Sequence, residues 1–151
     1  MTIAERKPSL VVIQLSGGND AMNTVVPYTD GIYHDSRKAI HLTDDTVIDL
    51  NGTLGLNPSM GPMKELWDAG KLAIVNGVGY PRPNRSHFRS MDIWHTAEPN
   101  SVATEGWLGQ AIRYIDPDKK NVLTGVSFGR GLPRAMAAPG VPVASVGNLD
   151  N

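Results

Sequence analysis

The sequence contains no cysteine, has almost no net charge and lacks any long apolar run. The absence of cysteine excludes disulfides, thiolate metal sites and cysteine nucleophiles, and it leaves the redox compartment open. The formal net charge is -1, and the arginines at 82, 85 and 89 are too few to bind nucleic acid by charge alone. No run approaches the roughly 20 apolar residues of a membrane span. We therefore expect neither a nucleic-acid nor a membrane partner.

Residues 1–8 form a polar N-terminal tail without the apolar core of a signal peptide, so the chain as written is expected to be cytoplasmic. Residues 9–151 are expected to belong to one α/β domain, because 151 residues fit one ordinary domain. The chain is 40% apolar and 19% charged, which excludes a disordered or fibrous protein. The 16 glycines and 11 prolines indicate tight loops between short elements.

Short apolar runs predict the strands of a sheet, and periodic stretches between them predict helices. A small strand is expected at residues 47–50, with Asn51 and Gly52 as its turn. Asn57 and Pro58 are expected to begin a helix that stops at Gly70. The predicted buried strands are residues 9–15, 71–76, 121–128 and 141–146. The other predicted helices are residues 86–97, with Phe88, Met91 and Trp94 inward, and residues 106–115.

This alternation predicts a mostly parallel sheet flanked by helices. A buried strand at residues 141–146 needs a covering helix, and only residues 147–151 follow it. The fold is therefore expected to be truncated at its C-terminal end.

In open α/β sheets, ligands bind beyond the carboxyl ends of the strands, where the first predicted loop offers Asn19, Asp20 and Asn23. A carboxylate behind two glycines at the tip of a buried strand suits a hard divalent cation. The alternative is a glycine turn in which Asp20 caps the next segment. Both interpretations remain open on the residues alone.

The second predicted loop brings Ser86 to the start of a helix, where free amides and the helix dipole favour an anion. A hydroxyl there could attack phosphorus or sulfur while Arg85 or Arg89 faces the developing charge. The adjacent His87 is a candidate ligand or general acid, although a structural hydrogen bond is the more ordinary role for it. The alternative for Ser86 is a simple N-cap.

Two other motifs carry less weight. Residues 125–129 match the G-x-S-x-G pattern with Ser127 as nucleophile, but that pattern requires a helix directly after the serine. Glycines and a proline follow Ser127 instead. Gly77 and Gly79 begin like a dinucleotide fingerprint, but Arg82 occupies the place of its third glycine.

The two loops together resemble the domain-of-unknown-function family 1501. The resemblance rests on Gly17-Gly18-Asn19-Asp20 within residues 12–28, and on Asn84-Arg85-Ser86-His87 within residues 84–97. The further matching stretches, in the family's order, are residues 55–58, 77–81 and 106–109. The family looks related to the alkaline phosphatase and sulfatase superfamily.

The resemblance implies an alkaline phosphatase-like fold and a hydrolase of small anionic phosphate or sulfate esters. It implies Asp20 as a metal ligand, with Zn, Mn or Ca as the divalent metal, and Ser86 as the nucleophile. Arg89 would be catalytic. Further residues near substrate or metal would be Asn19, Asn23, Asn84, Arg85 and His87.

The superfamily takes its remaining Asp and His ligands from a C-terminal half, and no convincing second set occurs up to Asn151. An incomplete active site is therefore expected. Relatives often carry a twin-arginine export signal, so a full-length form could be periplasmic or extracellular. Two alternatives stay open: a non-catalytic binding or assembly module of the same fold, and a serine hydrolase that uses Ser127.

Overall fold

The structure, a computed structural model, describes residues 8–15 and 17–147. The chain divides after Val75 into two compact units. The first unit contains a three-stranded antiparallel sheet, and the second contains a two-stranded parallel sheet. Helices accompany both sheets, which confirms the α/β class. Nearly all of the predicted tail at residues 1–8 lies outside the described residues.

In the first unit, the sheet has the order β1-β3-β2. The strands are β1 (Val25–Val26), β2 (Ile48–Asp49) and β3 (Gly55–Leu56). The α-helices are α1 (Gly31–Ser36) and α2 (Gly61–Asp68), and short 3-10 helices cover Ala21–Asn23 and Pro58–Met60. Val26, Leu56 and the Tyr33 ring form its buried core.

The turn between β2 and β3 agrees with the sequence prediction. The Asn51 side-chain oxygen accepts hydrogen bonds from the backbone amides of Thr53 (3.1 Å) and Leu54 (2.9 Å). Gly52 has φ = 80°, in the left-handed region that glycine adopts without strain. The turn thereby sets β2 antiparallel to the central strand β3.

Both ends of α2 follow from local sequence. The 3-10 helix Pro58–Met60 leads directly into α2, and its N-cap residue Asn57 accepts a side-chain hydrogen bond from the Ser59 amide (3.0 Å). At its end, Gly70 has φ = 64° and donates to the Trp67 carbonyl. The next amide, that of Lys71, donates to the Leu66 carbonyl (2.8 Å). These two bonds make a Schellman C-cap, so the predicted stop at Gly70 is confirmed.

In the second unit, α3 (His87–Thr96) and α4 (Trp107–Ile115) both pack against a 3-10 helix, Arg134–Met136. The buried apolar side chains there are Ile93, Ile112 and Ala135. Strands β4 (Val126–Phe128) and β5 (Ala144–Val146) pair in parallel, with Ser127 opposite Ser145. This pairing confirms that the last two apolar runs form strands, although each strand is shorter than predicted.

The first two predicted buried strands are not strands in this structure. Within residues 8–15 and 71–76 no residue joins a sheet, and large side chains such as Leu10 and Leu15 are 80% and 86% exposed. A β-branched apolar run shows which side chains favour burial, but a ladder also requires a neighbouring strand. The described residues therefore form one antiparallel and one parallel sheet, and a sheet built mostly from parallel strands is not confirmed.

The buried face of α3 also differs from the prediction. Phe88 is 89% exposed and Trp94 is 50% exposed, whereas Ile93 and Thr96 are buried. The Thr96 hydroxyl is satisfied inside the helix, since it donates to the Asp92 carbonyl (2.8 Å). The face is set by the contact with the 3-10 helix, which the sequence pattern of α3 does not reveal.

Among the described residues, no helix combines the length and apolar character needed to cross a bilayer.

Candidate functional site

The first candidate site is the turn at Asp20. Asp20 precedes the 3-10 helix Ala21–Asn23, but its side chain does not cap that helix. Its carbonyl accepts hydrogen bonds from the Asn23 amide (3.0 Å) and the Thr24 hydroxyl (2.9 Å). The carboxylate instead forms an ion pair, with 2.7 Å between Asp20 Oδ2 and Arg37 Nη1. The turn is therefore closed by the backbone, and the carboxylate reaches a residue from another element.

The Arg37 guanidinium is the main reason for the altered pKa of Asp20. Its hydrogen bond and positive charge hold the pKa of this carboxyl below the ordinary value, although partial desolvation acts against the shift. The guanidinium carbon also lies 5.9 Å from the centroid of the Tyr33 ring, a cation–π distance. Asp20 is thus ionised, as a metal ligand must be, but its negative charge is already compensated by Arg37.

Asn19 and Asn23 are engaged in structural hydrogen bonds. Asn19 Oδ1 accepts from the Thr24 hydroxyl (3.0 Å). Asn23 Nδ2 donates to the Ile40 carbonyl (2.8 Å), and Asn23 Oδ1 accepts from the Tyr33 hydroxyl (2.8 Å). Both side chains therefore hold the turn in place.

The described residues do not assemble the donors of a complete metal centre. No group of three or more His, Asp or Glu side chains that could hold an ion occurs among residues 8–15 and 17–147. Divalent cations such as Ca²⁺ take six to eight oxygen ligands, and structural Zn²⁺ takes four. Asp20 alone, paired with Arg37, does not fit that requirement.

The second candidate site is the start of α3. Ser86 is exposed and is the N-cap residue of this helix. Its hydroxyl oxygen accepts a long hydrogen bond from the Arg89 amide (3.4 Å). The Ser86 amide donates to Asn84 Oδ1 (2.8 Å), which fixes the backbone just before the helix. The predicted position of Ser86 at a helix start is therefore confirmed.

The basic residues near Ser86 differ in whether their side chains make hydrogen bonds. Arg85 and His87 are exposed, and neither makes a hydrogen bond or ion pair within the part of the chain that the structure describes. Arg89 instead turns toward the loop after α3, where its Nη2 donates to the Ser101 carbonyl (2.7 Å). The same nitrogen lies 3.4 Å from the carbonyls of Glu98 and Pro99. The Arg89 guanidinium therefore stabilises that loop through hydrogen bonds to its carbonyl groups.

Tyr80 holds the loop that leads into Ser86. Its hydroxyl accepts from the Asn84 amide (3.1 Å) and lies 3.3 Å from Ser90 Oγ, which in turn donates to the Asn84 carbonyl (2.7 Å). The hydrogen bond with the Ser90 hydroxyl and the one from the Asn84 amide lower the pKa of the Tyr80 phenol. No local pattern in the sequence indicates this role of Tyr80.

A pocket of about 410 Å³ lies within the second unit, beside the C-terminal half of α3. Three aromatic side chains line it: Tyr80, Trp94 and Trp107. The rest of the lining comes from Gly79, Ile93, Ala97 and Pro99. The signal that could have revealed it is compositional: the chain has only 3 tryptophans, and two of them lie within residues 94–107.

The second unit also shows why Ser127 lacks the setting of a nucleophile elbow. Ser127 is the middle residue of β4 and is buried. Two glycines with positive φ, Gly129 and Gly131, follow the strand, and the next helical segment is the 3-10 helix Arg134–Met136. No α-helix begins directly after Ser127, which agrees with the argument from sequence.

Comparison with known proteins found no relative of this chain. No family model, no curated protein and no solved structure matches the chain.

Proposed function

We propose that this chain takes part in the hydrolysis of phosphate or sulfate esters, with Ser86 as the nucleophile. The observation that supports the proposal is the placement of an exposed serine hydroxyl at the first turn of a ten-residue helix. Two side chains next to it, Arg85 and His87, are exposed and keep their polar atoms available. The resemblance of the two loops to a phosphatase- and sulfatase-like family points to the same chemistry.

The start of α3 suits an attack on an anionic centre. Helix N-terminal amides and the helix dipole stabilise negative charge, and the Arg85 guanidinium adds a positive one. In the proposed reaction, Ser86 Oγ forms a bond to phosphorus or sulfur and releases its proton to water. The bond to the ester oxygen breaks, and His87 gives a proton to the departing alcohol. Water then attacks the serine ester, which releases phosphate or sulfate and restores the Ser86 hydroxyl. His87 takes a proton back from solvent, which balances the proton that Ser86 gave to solvent.

A divalent metal at Asp20 and a mostly parallel, alkaline phosphatase-like sheet belong to the same proposal. The parallel pairing of β4 with β5 supports the sheet. The ionised state of Asp20 supports the metal, although Arg37 would have to release the carboxylate. No step of the proposed reaction is assigned to this ion.

The test of Ser86 must separate catalysis from helix capping. Ser86→Asn keeps a side chain that caps helices as well as serine does, but it removes the hydroxyl. Hydrolysis of an aryl phosphate and an aryl sulfate is measured for the wild type, Ser86→Asn and Ser86→Ala with Mn²⁺, Zn²⁺ or Ca²⁺. We expect both variants to lose turnover, while only Ser86→Ala loses stability. Turnover that survives in Ser86→Asn would refute the nucleophile assignment.

A second candidate is a non-catalytic binding or assembly module, and one observation favours it: the Asp20–Arg37 ion pair occupies the proposed metal ligand. Thermal melts with and without each metal distinguish the two. The hydrolase predicts a melting temperature raised by one metal, a larger rise in Arg37→Gln, and no rise in Asp20→Ala. The binding module predicts melts that no metal changes in any of the three proteins.

A further inference from the structure

The pocket beside α3 is built from few elements and has the size of a ligand site. Its volume of about 410 Å³ falls within the roughly 300–1,000 Å³ of small-molecule pockets. Helix α3 supplies Ile93 and Trp94, and α4 supplies its first residue, Trp107. The loop before α3 contributes Tyr80, whose position is fixed by the hydrogen bonds to Asn84 and Ser90.

The charges around the pocket decide what kind of ligand it suits. None of its lining residues carries a charge. One positive charge lies at its wall, since Arg89 Nη2 is 3.4 Å from the carbonyl of the lining residue Pro99. The same guanidinium also contributes to lowering the pKa of Tyr80, another lining residue. A cationic ligand would be repelled by this charge, and no lining residue supplies a carboxylate to offset it, so an aromatic cage for an ammonium group is disfavoured.

The lining also favours an aromatic ligand over an aliphatic one. Trp94 and Trp107 are 50% and 40% exposed, so large ring surfaces are available at the pocket. An aromatic ring placed against them adds offset-stacked or edge-to-face contacts to the burial of apolar area. The Tyr80 hydroxyl already takes part in two hydrogen bonds, so the polar demand on a ligand is small.

We propose that the pocket lined by Tyr80, Trp94 and Trp107 is a binding site for an uncharged aromatic group of one or two rings. This inference is independent of the hydrolysis proposal, because it concerns binding alone and does not involve Ser86.

Nuclear magnetic resonance of the three tryptophan indole N–H groups in the full chain tests the site directly. The probe is 2-naphthol, a neutral two-ring aromatic, and the comparison compounds are cyclohexanol and tetramethylammonium. Trp67, in the first unit, serves as an internal control. We expect 2-naphthol to shift the Trp94 and Trp107 signals saturably and to leave the Trp67 signal unchanged.

Variants separate the pocket from general surface adsorption. Trp94→Leu and Trp107→Leu should each weaken 2-naphthol binding by about tenfold or more. Phe88→Leu is the matched control, because Phe88 is an exposed aromatic residue on the same helix but outside the pocket. It should leave binding unchanged. The remaining two indole signals of each variant report whether the chain stays folded.

Three results would overturn the inference. The first is the absence of a saturable shift at Trp94 and Trp107. The second is equal binding of cyclohexanol, which would indicate a general apolar surface. The third is stronger binding of tetramethylammonium, which would show that the rings form a cation site despite Arg89.

Discussion

Arg37 and Asp20 form an ion pair between two side chains separated by 17 residues, with 2.7 Å between Nη1 and Oδ2. Arg37 is the C-cap residue of α1, and Asp20 lies at the start of the first 3-10 helix. The pair thus connects the turn at Asp20 to α1. It also occupies the carboxylate that the family resemblance implies as a metal ligand, so any role of Asp20 in binding depends on Arg37.

The first prediction concerns the pKa of Asp20. Because the Arg37 guanidinium lowers it, Arg37→Gln should raise this pKa toward the ordinary value of an aspartate. The measurement is a pH titration of the Asp20 side-chain carboxyl by nuclear magnetic resonance. Arg113→Gln is the control, since Arg113 pairs with Glu105 and not with Asp20. An unchanged Asp20 titration in Arg37→Gln would show that the ion pair does not form in solution.

The same pKa shift predicts how stability depends on pH. A carboxyl whose pKa is lower in the folded state stabilises the fold fully above its unfolded pKa, and this contribution disappears as the pH falls through the folded pKa. Asp20→Asn should therefore be less stable than the wild type near neutral pH, and the difference should vanish in acid. Denaturant unfolding at several pH values measures it. A difference that persists in acid would have a cause other than the ionised pair.

The second prediction concerns the cap of α3. Ser86→Ala removes the oxygen that accepts from the Arg89 amide, and it should lower the free energy of unfolding by about 0.5–1 kcal/mol. The low end of the usual range is expected because the hydrogen bond is long, at 3.4 Å. Ser86→Asn should restore most of the loss. Urea denaturation compares the three proteins, and equal loss in both variants would mean that the cap is not the stabilising feature.

The third prediction concerns the contact of α4 with the 3-10 helix Arg134–Met136. A Cβ atom at Gly109 would lie 2.8 Å from the Met136 carbonyl oxygen, so Gly109→Ala should destabilise by about 1–2 kcal/mol despite the better helix propensity of alanine. Gly31→Ala in α1 is the matched control, because an added Cβ there meets no atom within 4 Å. If Gly109→Ala were as stable as Gly31→Ala, this close packing would be incorrect.

The fourth prediction concerns the Tyr80 phenol. The hydrogen bond with Ser90 is the largest cause of its lowered pKa, so Ser90→Ala should raise that pKa toward the ordinary tyrosine value. Ultraviolet absorbance of the ionised phenol measures the titration, and Tyr80→Phe identifies which step belongs to Tyr80. If Ser90→Ala left that step in place, the Asn84 amide alone would account for the shift.

Local signals in the sequence predict local structure well here. Asn57 and Gly70 mark the two ends of the helical stretch that contains α2, and Ser86 marks the start of α3, because caps depend on residues within one turn. The turn at Asn51 and Gly52 is likewise specified locally, by the Asn51 side chain that accepts backbone hydrogen bonds and by the positive φ of Gly52.

Features that depend on distant partners could not be predicted. The run at residues 9–15 has the composition of a buried strand, but strand formation requires a neighbour that this run does not specify. The Asp20–Arg37 ion pair joins separate segments of the chain, and so does the hydrogen bond from Arg89 to the Ser101 carbonyl. The sequence therefore identifies Asp20 and Arg89 as candidates, while the structure determines what their charges contact.

The most direct measurement of the central claim is a search for a covalent serine ester. The chain is incubated with an aryl phosphate and each candidate metal, quenched in acid, and digested for peptide mass spectrometry. Hydrolysis through Ser86 predicts a phosphoryl group on Ser86 in the wild type and none in Ser86→Asn. Hydrolysis without modification of Ser86, or with the phosphoryl group on another residue, would contradict it.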